Sequence, residues 1–205
     1  MELKFQFNKV AMQGLQRQLK IRASALPILK SKEAALRVTE KKMKDEYARL
    51  EAEYQAKLAQ LRSDIRLWAE FPAEIYTLKE IVLKHHRIAG IEVPEVDRID
   101  WDLRDFSQFH RPLWVSTGVS ILRDLTVMLT RMEVVAKGIE IIQYARRKTT
   151  QKVNLYEKVQ IPAYTEAIRK IKRYLEDVAN LDTAVQKITK QKQEQAIAAA
   201  EAVNG

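Results

Sequence analysis

The chain has 205 residues, 46% of them hydrophobic but only 7% aromatic, with five glycines and no cysteine, a composition that favours long helices over a sheet-rich globule and excludes disulfides, thiolate chemistry and cysteine-based zinc sites. The net charge of +9 is uneven: residues 1–66 carry +7, residues 67–113 carry −3 and residues 114–205 carry +5, so two basic arms flank an acidic middle. The opening MELKFQFNKV lacks the apolar core of a signal peptide and nowhere do 18 apolar residues run together, which predicts an intracellular chain without a transmembrane segment.

From Asn8 to Trp68 the apolar residues step by four and three. Leu15, Leu19, Leu26, Leu29, Leu36, Met43, Tyr47, Leu50 and Tyr54 keep a repeat of seven, with Arg22, Glu33 and Glu40 as polar exceptions, and Leu58, Leu61, Ile65 and Trp68 continue it after a stutter at 54 to 58. This is a helix built to lie along a second helix. Pro27 is expected to bend or break it, because proline lacks the N–H and pushes Leu26 away from helical angles.

The periodicity changes between Phe71 and Pro112. Residues Pro72 to His85 read as a short helix with Ile75, Leu78, Ile81 and Val82 on one side. HRIAGIEVP and VDRIDWDL then alternate, Ile91 and Val93 against Gly90 and Glu92, and Ile99, Trp101 and Leu103 against Arg98, Asp100, Asp102 and Arg104. Two such runs joined by Pro94 and Glu95 predict a β-hairpin resting on that helix or on another subunit.

From Gly118 to Lys192 the pattern returns to helix. Leu122, Leu125, Leu129, Met132, Ala136 and Ile139 form one apolar run and Ile161, Tyr164, Ile168, Ile171, Leu175 and Val178 a second, with a polar stretch at Arg146, Thr149 and Thr150 between them. Pro162 predicts a kink near Lys158 instead of an end. At about 1.5 Å per residue such a helix runs on the order of 110 Å, so it needs a partner of similar length, which the N-terminal helix supplies if the two pair antiparallel. The tail QEQAIAAAEAVNG has helix propensity but no seam and is expected to fray. The chain therefore reads as an all-α dominated fold, a long antiparallel two-helix coiled coil in which residues 1–69 and 114–205 enclose a middle region at 70–113 holding a short helix and a hairpin.

Chemistry-bearing patterns are sparse. Glycines at 14, 90, 118, 138 and 205 form no phosphate-binding loop, and no nucleotide or other cofactor is expected. His85 and His86, adjacent on the expected helix and about 100° apart, cannot share one metal, and His110 is the third histidine. Glu95, Asp97, Asp100, Asp102 and Asp105 lack the glycine and terminal glutamate of a calcium loop and read as the solvated face of a strand. No nucleophile, pocket or paired catalytic carboxylates emerge, so the chain is not expected to be an enzyme and has no catalytic or metal residues to nominate. Two basic clusters, Lys41, Lys42 and Lys44, and Arg146, Arg147 and Lys148, are mixed with acids and lack interleaved aromatics, which argues against nucleic acid.

Two terminal helices around a short mixed middle, with NKVAMQGLQRQL near the start and VNLYEKVQIP in the last third, resemble the D subunit of the V-type (archaeal/bacterial A/V-type) ATPase. The most specific piece is Val153, Asn154, Glu157, Ile161 and Pro162, followed by AIRKIKRYLED. Asn8, Lys9, Leu15 and Leu19, then Leu29, Lys30, Lys32 and Leu36, carry the likeness at the start, and HRIAGIEVPEVDRIDWDL carries it in the middle. The pattern departs at Gln151 and Lys152, where the family usually has arginines, here set back to Arg146 and Arg147, and at Pro27. The resemblance implies a central-stalk rotor shaft that couples ATP hydrolysis or synthesis to ion translocation, peripheral to the membrane on the cytoplasmic side. Its implied partners are the ring of catalytic and regulatory subunits A and B, the small F subunit of the stalk and the funnel-like subunit (C/d) capping the membrane rotor ring. The implied partner-contact residues are Asn8, Lys9, Leu15, Leu19, Arg146, Arg147, Val153, Asn154, Glu157, Ile161 and Pro162. Two other classes are compatible with paired helices: a prefoldin-like chaperone, which needs apolar surface at helix tips that here read as charged, and a structural coiled-coil tether.

Overall fold

The computed structural model describes residues 4–62, 68–71, 76–103 and 114–203. In chain order it holds helix α1 (Lys9–Arg62), strands β1 (Tyr76–Ile88) and β2 (Ile91–Leu103), helix α2 (Trp114–Asn154), one π-helical turn (Leu155–Gln160) and helix α3 (Ile161–Val203). This is the expected α-dominated class with a β-hairpin. The chain divides into two compact units, Met1–Leu29 with Gln151–Gly205, and Lys30–Thr150.

In the first unit Asn8 caps α1. Its side-chain Oδ1 accepts the backbone N–H of Ala11 at 2.7 Å, satisfying one of the donors that a helix start leaves orphaned. α1 then passes through Pro27 without ending, so of the bend or break expected there the break does not occur. Leu15, Leu19, Arg22, Leu26 and Leu29 are all half-buried. They run antiparallel to Tyr164, Ala167 and Ile171, as the pairing of Arg22 with Gln160 and of Phe7 with Tyr174 requires. Ile168 is only half-buried, because Ala167 takes the seam position beside it. Beyond Leu175 the seam has no counterpart: Val178, Leu181, Val185 and Ile188 are exposed, and the tail expected to fray is helical to Val203.

Where a kink without an end is expected near Lys158, the chain does not end and makes a π-helical turn. Pro162 cannot donate a backbone hydrogen bond and crowds the carbonyl four residues back. The chain answers by widening the preceding turn, so that Ile161 N–H reaches back five residues to the carbonyl of Tyr156.

In the second unit the α1 seam continues as a buried or half-buried line through Glu33, Leu36, Glu40, Met43, Tyr47, Leu50, Tyr54, Leu58 and Leu61, while Ile65 lies outside the described residues. Leu36 meets Ile142 and Val93 in a core where all three are fully buried, with Met43, Ile88, Ile91 and Ala145 around it. Each such side chain contributes roughly 1.5–3 kcal/mol of apolar burial. On α2 the seam passes through Leu125 and Met132 to Gly138 and Ile142, leaving Leu129 outside it at 41% exposure. Gly138 is required by this packing, since a Cβ there would collide with the end of Met43 and stand 3.0 Å from Val93 Cγ1. Near the start of α2, Trp68, Phe71 and Trp114 form an aromatic cluster, and Phe71 Cε2 lies 3.1 Å from where Gly118 would carry a Cβ.

The middle region corrects two expectations. The short helix predicted from Pro72 to His85 is strand from Tyr76 onward, with Pro72–Ile75 outside the described residues. The hairpin turn is not at Pro94 and Glu95 but at Ala89 and Gly90, whose φ values of 49° and 77° make a two-residue turn with both central residues left-handed. Pro94 instead sits within β2 opposite His85, tolerated because a two-stranded sheet has an edge on each strand. Register shifts between Leu78 and Glu80 and between Val82 and Leu83 interrupt the pairing.

Candidate functional site

Three polar residues interrupt the α1 seam. Glu33 pairs within its own helix with Arg37, one turn on, at 2.9 Å. The other two are built into layers that reach across to the partner helix.

In the first unit Arg22 donates from Nε to Gln160 Oε1 at 2.6 Å and from Nη1 to the Gln18 side chain at 2.6 Å. Its guanidinium lies 4.7 Å from the Tyr164 ring centroid and 6.0 Å from that of Tyr156. Tyr156, Gln160 and Tyr164 lie four apart, so the π-helical turn and the first turn of α3 together make one receptor for a single arginine. In the second unit Glu40 is 5% exposed. Its Oε1 accepts from Lys44 Nζ at 2.7 Å and from Gln143 Nε2 at 3.2 Å, and Arg146 Nε stands 3.1 Å from Oε2. Burial alone would raise the carboxyl, but the Lys44 hydrogen bond, the Arg146 and Lys44 charges and the Gln143 amide outweigh it and hold Glu40 below the ordinary value. The alignment of periods revealed Arg22 and Glu40 as seam exceptions; their partners Gln143, Gln160 and Tyr164 could be named only once the register between helices was known.

The residues nominated through the resemblance fall into distinct places. Asn8 is the α1 cap and Lys9 its exposed first residue. Leu15, Leu19, Val153 and Ile161 are half-buried. Asn154, Glu157 and Pro162 are exposed along the π-helical turn, beside Leu155 at 41% and Val159 at 37% exposure. Arg147 is exposed, whereas Arg146 is engaged with Glu40. The two basic clusters are therefore not continuous free patches: Lys44 and Arg146 converge on one carboxylate, and Lys148 lies 5.5 Å from the Tyr144 ring centroid.

His85 and His86 stand on a strand, so adjacent side chains point to opposite faces, correcting their placement on a helix. His86 Nδ1 is 3.8 Å from Glu95, which also faces Lys84 at 3.5 Å, and Asp100 pairs with Arg98 at 2.8 Å. Among the described residues no group of three His, Asp or Glu is placed to hold a metal ion; His110, Arg104 and Asp105 lie outside them. No helix among the described residues is long and apolar enough to cross a membrane. The far part of α3 departs from the expected charged tip, with Leu181, Val185 and Ile188 between 54% and 66% exposed.

Residues 11–191 match the ATP synthase D-subunit family. The D subunit of the V-type ATP synthase of Borreliella burgdorferi is 32% identical over 162 residues, covering 78% of this chain and 80% of that protein. The protein of the same name from Chlamydia felis is 30% identical over 176 residues, covering 83% and 84%, and that from Chlamydia pneumoniae 27% identical over 172 residues, covering 82% of each.

Proposed function

The chain belongs to the ATP synthase D-subunit family, and from that premise we propose that it is the central-stalk shaft of a V-type rotary ATPase, passing torque between a nucleotide-hydrolysing ring and a membrane ion-translocating rotor. The observation that carries the reading is a likeness spread over about four fifths of both chains, helices and hairpin together, instead of one confined to a short motif. On this reading the helical segments at 1–69 and 114–205 and the middle region at 70–113 act as one non-catalytic part. Its partners are the A and B subunits of the ring, the small F subunit and the funnel-like subunit above the membrane rotor, and it stays at the membrane through them.

The physics of the two layers supports this use. A shaft must not slip along its own axis under load. An apolar seam alone permits neighbouring registers of similar energy, whereas Arg22 meets Gln160 and Tyr164, and Glu40 meets Gln143 and Arg146, only when those residues stand opposite, so a slip along the axis breaks both sets of contacts. Surface charges such as Arg147 then offer the ring long-range, non-interlocking contacts that permit turning.

One feature favours a second reading. The exposed Leu181, Val185 and Ile188 resemble the apolar helix tips with which a prefoldin-like chaperone holds clients. A pull-down of the tagged chain from its native membranes, with mass identification and ATPase assay, separates the two. Recovery of a nucleotide-hydrolysing hexamer together with a small stalk protein supports the shaft; a heterogeneous set of unfolded proteins supports the chaperone and overturns the shaft.

A further inference from the structure

In the second unit the hairpin rests on the helices at two levels. At one, Val93 is fully buried with Leu36 and Ile142. At the other, Trp101, stacked on Tyr76 at 5.1 Å, has the Arg123 guanidinium 6.0 Å from its ring centroid. Between these levels lies an open cavity of about 500 Å³ lined from α1, α2 and both strands, a size at which small-molecule sites are found. Leu50, Ile88, Val134 and Val135 give it an apolar lining. Five charged or titratable side chains also border it, and three of these have partners within the chain. Glu95 has Lys84 at 3.5 Å and His86 at 3.8 Å, and Arg49 stands 3.7 Å from Glu53. The other two, Glu46 on α1 and Arg131 on α2, are exposed and have neither a hydrogen bond nor an ion pair among the described residues, with each other or with anything else.

We propose that this cavity binds a small zwitterion with an apolar body, of the α-amino-acid class, whose carboxylate meets Arg131, whose ammonium meets Glu46 and whose side chain covers Leu50, Val134 and Val135. An unmatched cation and an unmatched anion, brought to one cavity by different helices, call for a ligand that carries both charges. A plain anion would leave Glu46 facing it, and a plain cation would leave Arg131. The guanidinium fork suits a carboxylate, which it can hold through two parallel hydrogen bonds. The apolar lining gives the body of the ligand a surface from which to displace water. Bound there, the ligand touches the hairpin and both helices at once and ties the hairpin down between its two resting points. The site goes beyond the shaft reading and does not depend on it.

The test titrates L-leucine into the full chain and follows the backbone amides by NMR. We expect saturable binding, with shifts confined to residues 43–50, 86–96 and 131–135. N-acetyl-leucine, which lacks the ammonium, and leucinamide, which lacks the carboxylate, should each bind at least about tenfold more weakly, as loss of a charged hydrogen-bond partner does. Arg131→Met and Glu46→Gln, each checked for unchanged helicity, should weaken leucine binding about tenfold by the same reasoning. Glu46→Gln should no longer distinguish leucine from N-acetyl-leucine, and Arg131→Met should no longer distinguish leucine from leucinamide, a crossed pattern that a merely loosened fold would not produce. Val135→Trp, which fills the cavity, should abolish binding. The proposal is overturned by absence of saturation up to the solubility of leucine, by shifts confined to the exposed apolar residues at 181–188, or by variants that bind as the wild type does. N-acetyl-leucine or leucinamide binding as tightly as leucine would equally overturn it. None of these results bears on whether the chain turns within a ring, so failure here leaves the shaft reading where it stands.

Discussion

Replacing Arg146 by methionine tests the Glu40 layer directly. The substitution keeps an unbranched apolar stem in the seam and removes the charge 3.1 Å from Glu40 Oε2, leaving Lys44 and Gln143 on Oε1. At that distance the gross attraction is about 5 kcal/mol for an effective dielectric constant of ~20. Little of it survives as net stability. The Arg146 side chain is 35% exposed and that of Lys44 52%, and a two-helix seam is one side chain thick, so water regains access when the pair opens. Deeply buried pairs broken on one side lose ~3–5 kcal/mol; here the loss should be about 1–2 kcal/mol. Urea unfolding of the full chain at pH 7, followed by helical circular dichroism, measures it. The double variant Glu40→Leu with Arg146→Met makes the layer apolar and should return to wild-type stability or exceed it. A single variant as stable as the wild type, or a double variant less stable than both singles, would refute the account of a charged layer that trades stability for register.

Because the folded chain holds the Glu40 carboxyl below its ordinary value of 4.5, protonation costs more in the folded than in the unfolded state. The layer's contribution is full above about pH 4.5, is lost as pH falls through the lowered value, and should be absent from the acid-unfolding profile of Glu40→Gln. Gly14→Ala, at an open helical position, should raise stability by about 0.5–1 kcal/mol in urea unfolding, whereas Gly138→Val, pressed on Met43 and Val93, should lower it by about 2–3 kcal/mol. Pro162→Ala restores the missing donor; helix content measured by circular dichroism should rise slightly and stability by about 1–2 kcal/mol, with slower amide exchange over 155–161 as the wide turn reverts to α-helix. Ala89→Gly relieves a left-handed alanine and should stabilise the hairpin by about 1 kcal/mol, read by amide exchange in β1 and β2.

The long helices were legible because a seam is a local code. From Leu15 to Leu61 the spacing of four and three names the covered positions of α1, polar exceptions included. On α2 and α3 the same code slipped at Leu129 and Val178, and it stopped short of Ile142, because several adjacent faces there are apolar and only the partner decides which is covered. The hairpin was half legible for a physical reason. Lys79 is bulged out of register, so Leu78 and Ile81, three apart, face Trp101 and Ile99, two apart, and the strand displays the spacing of a helix. The turn was hidden because alanine is a poor left-handed residue, so Ala89 and Gly90 carried less signal than Pro94. The layers around Arg22 and Glu40 needed the register between helices, which no single segment encodes.

That this chain transmits torque is tested most directly by watching it turn. The chain has no cysteine, so Lys79→Cys, on an exposed bulge of β1, gives one thiol on this chain for attaching a bead once it is labelled and assembled into the complex. With the ring fixed to a surface and ATP supplied, the account predicts unidirectional, ATP-dependent rotation of the bead. A bead that stays still while the same complexes hydrolyse ATP would contradict it.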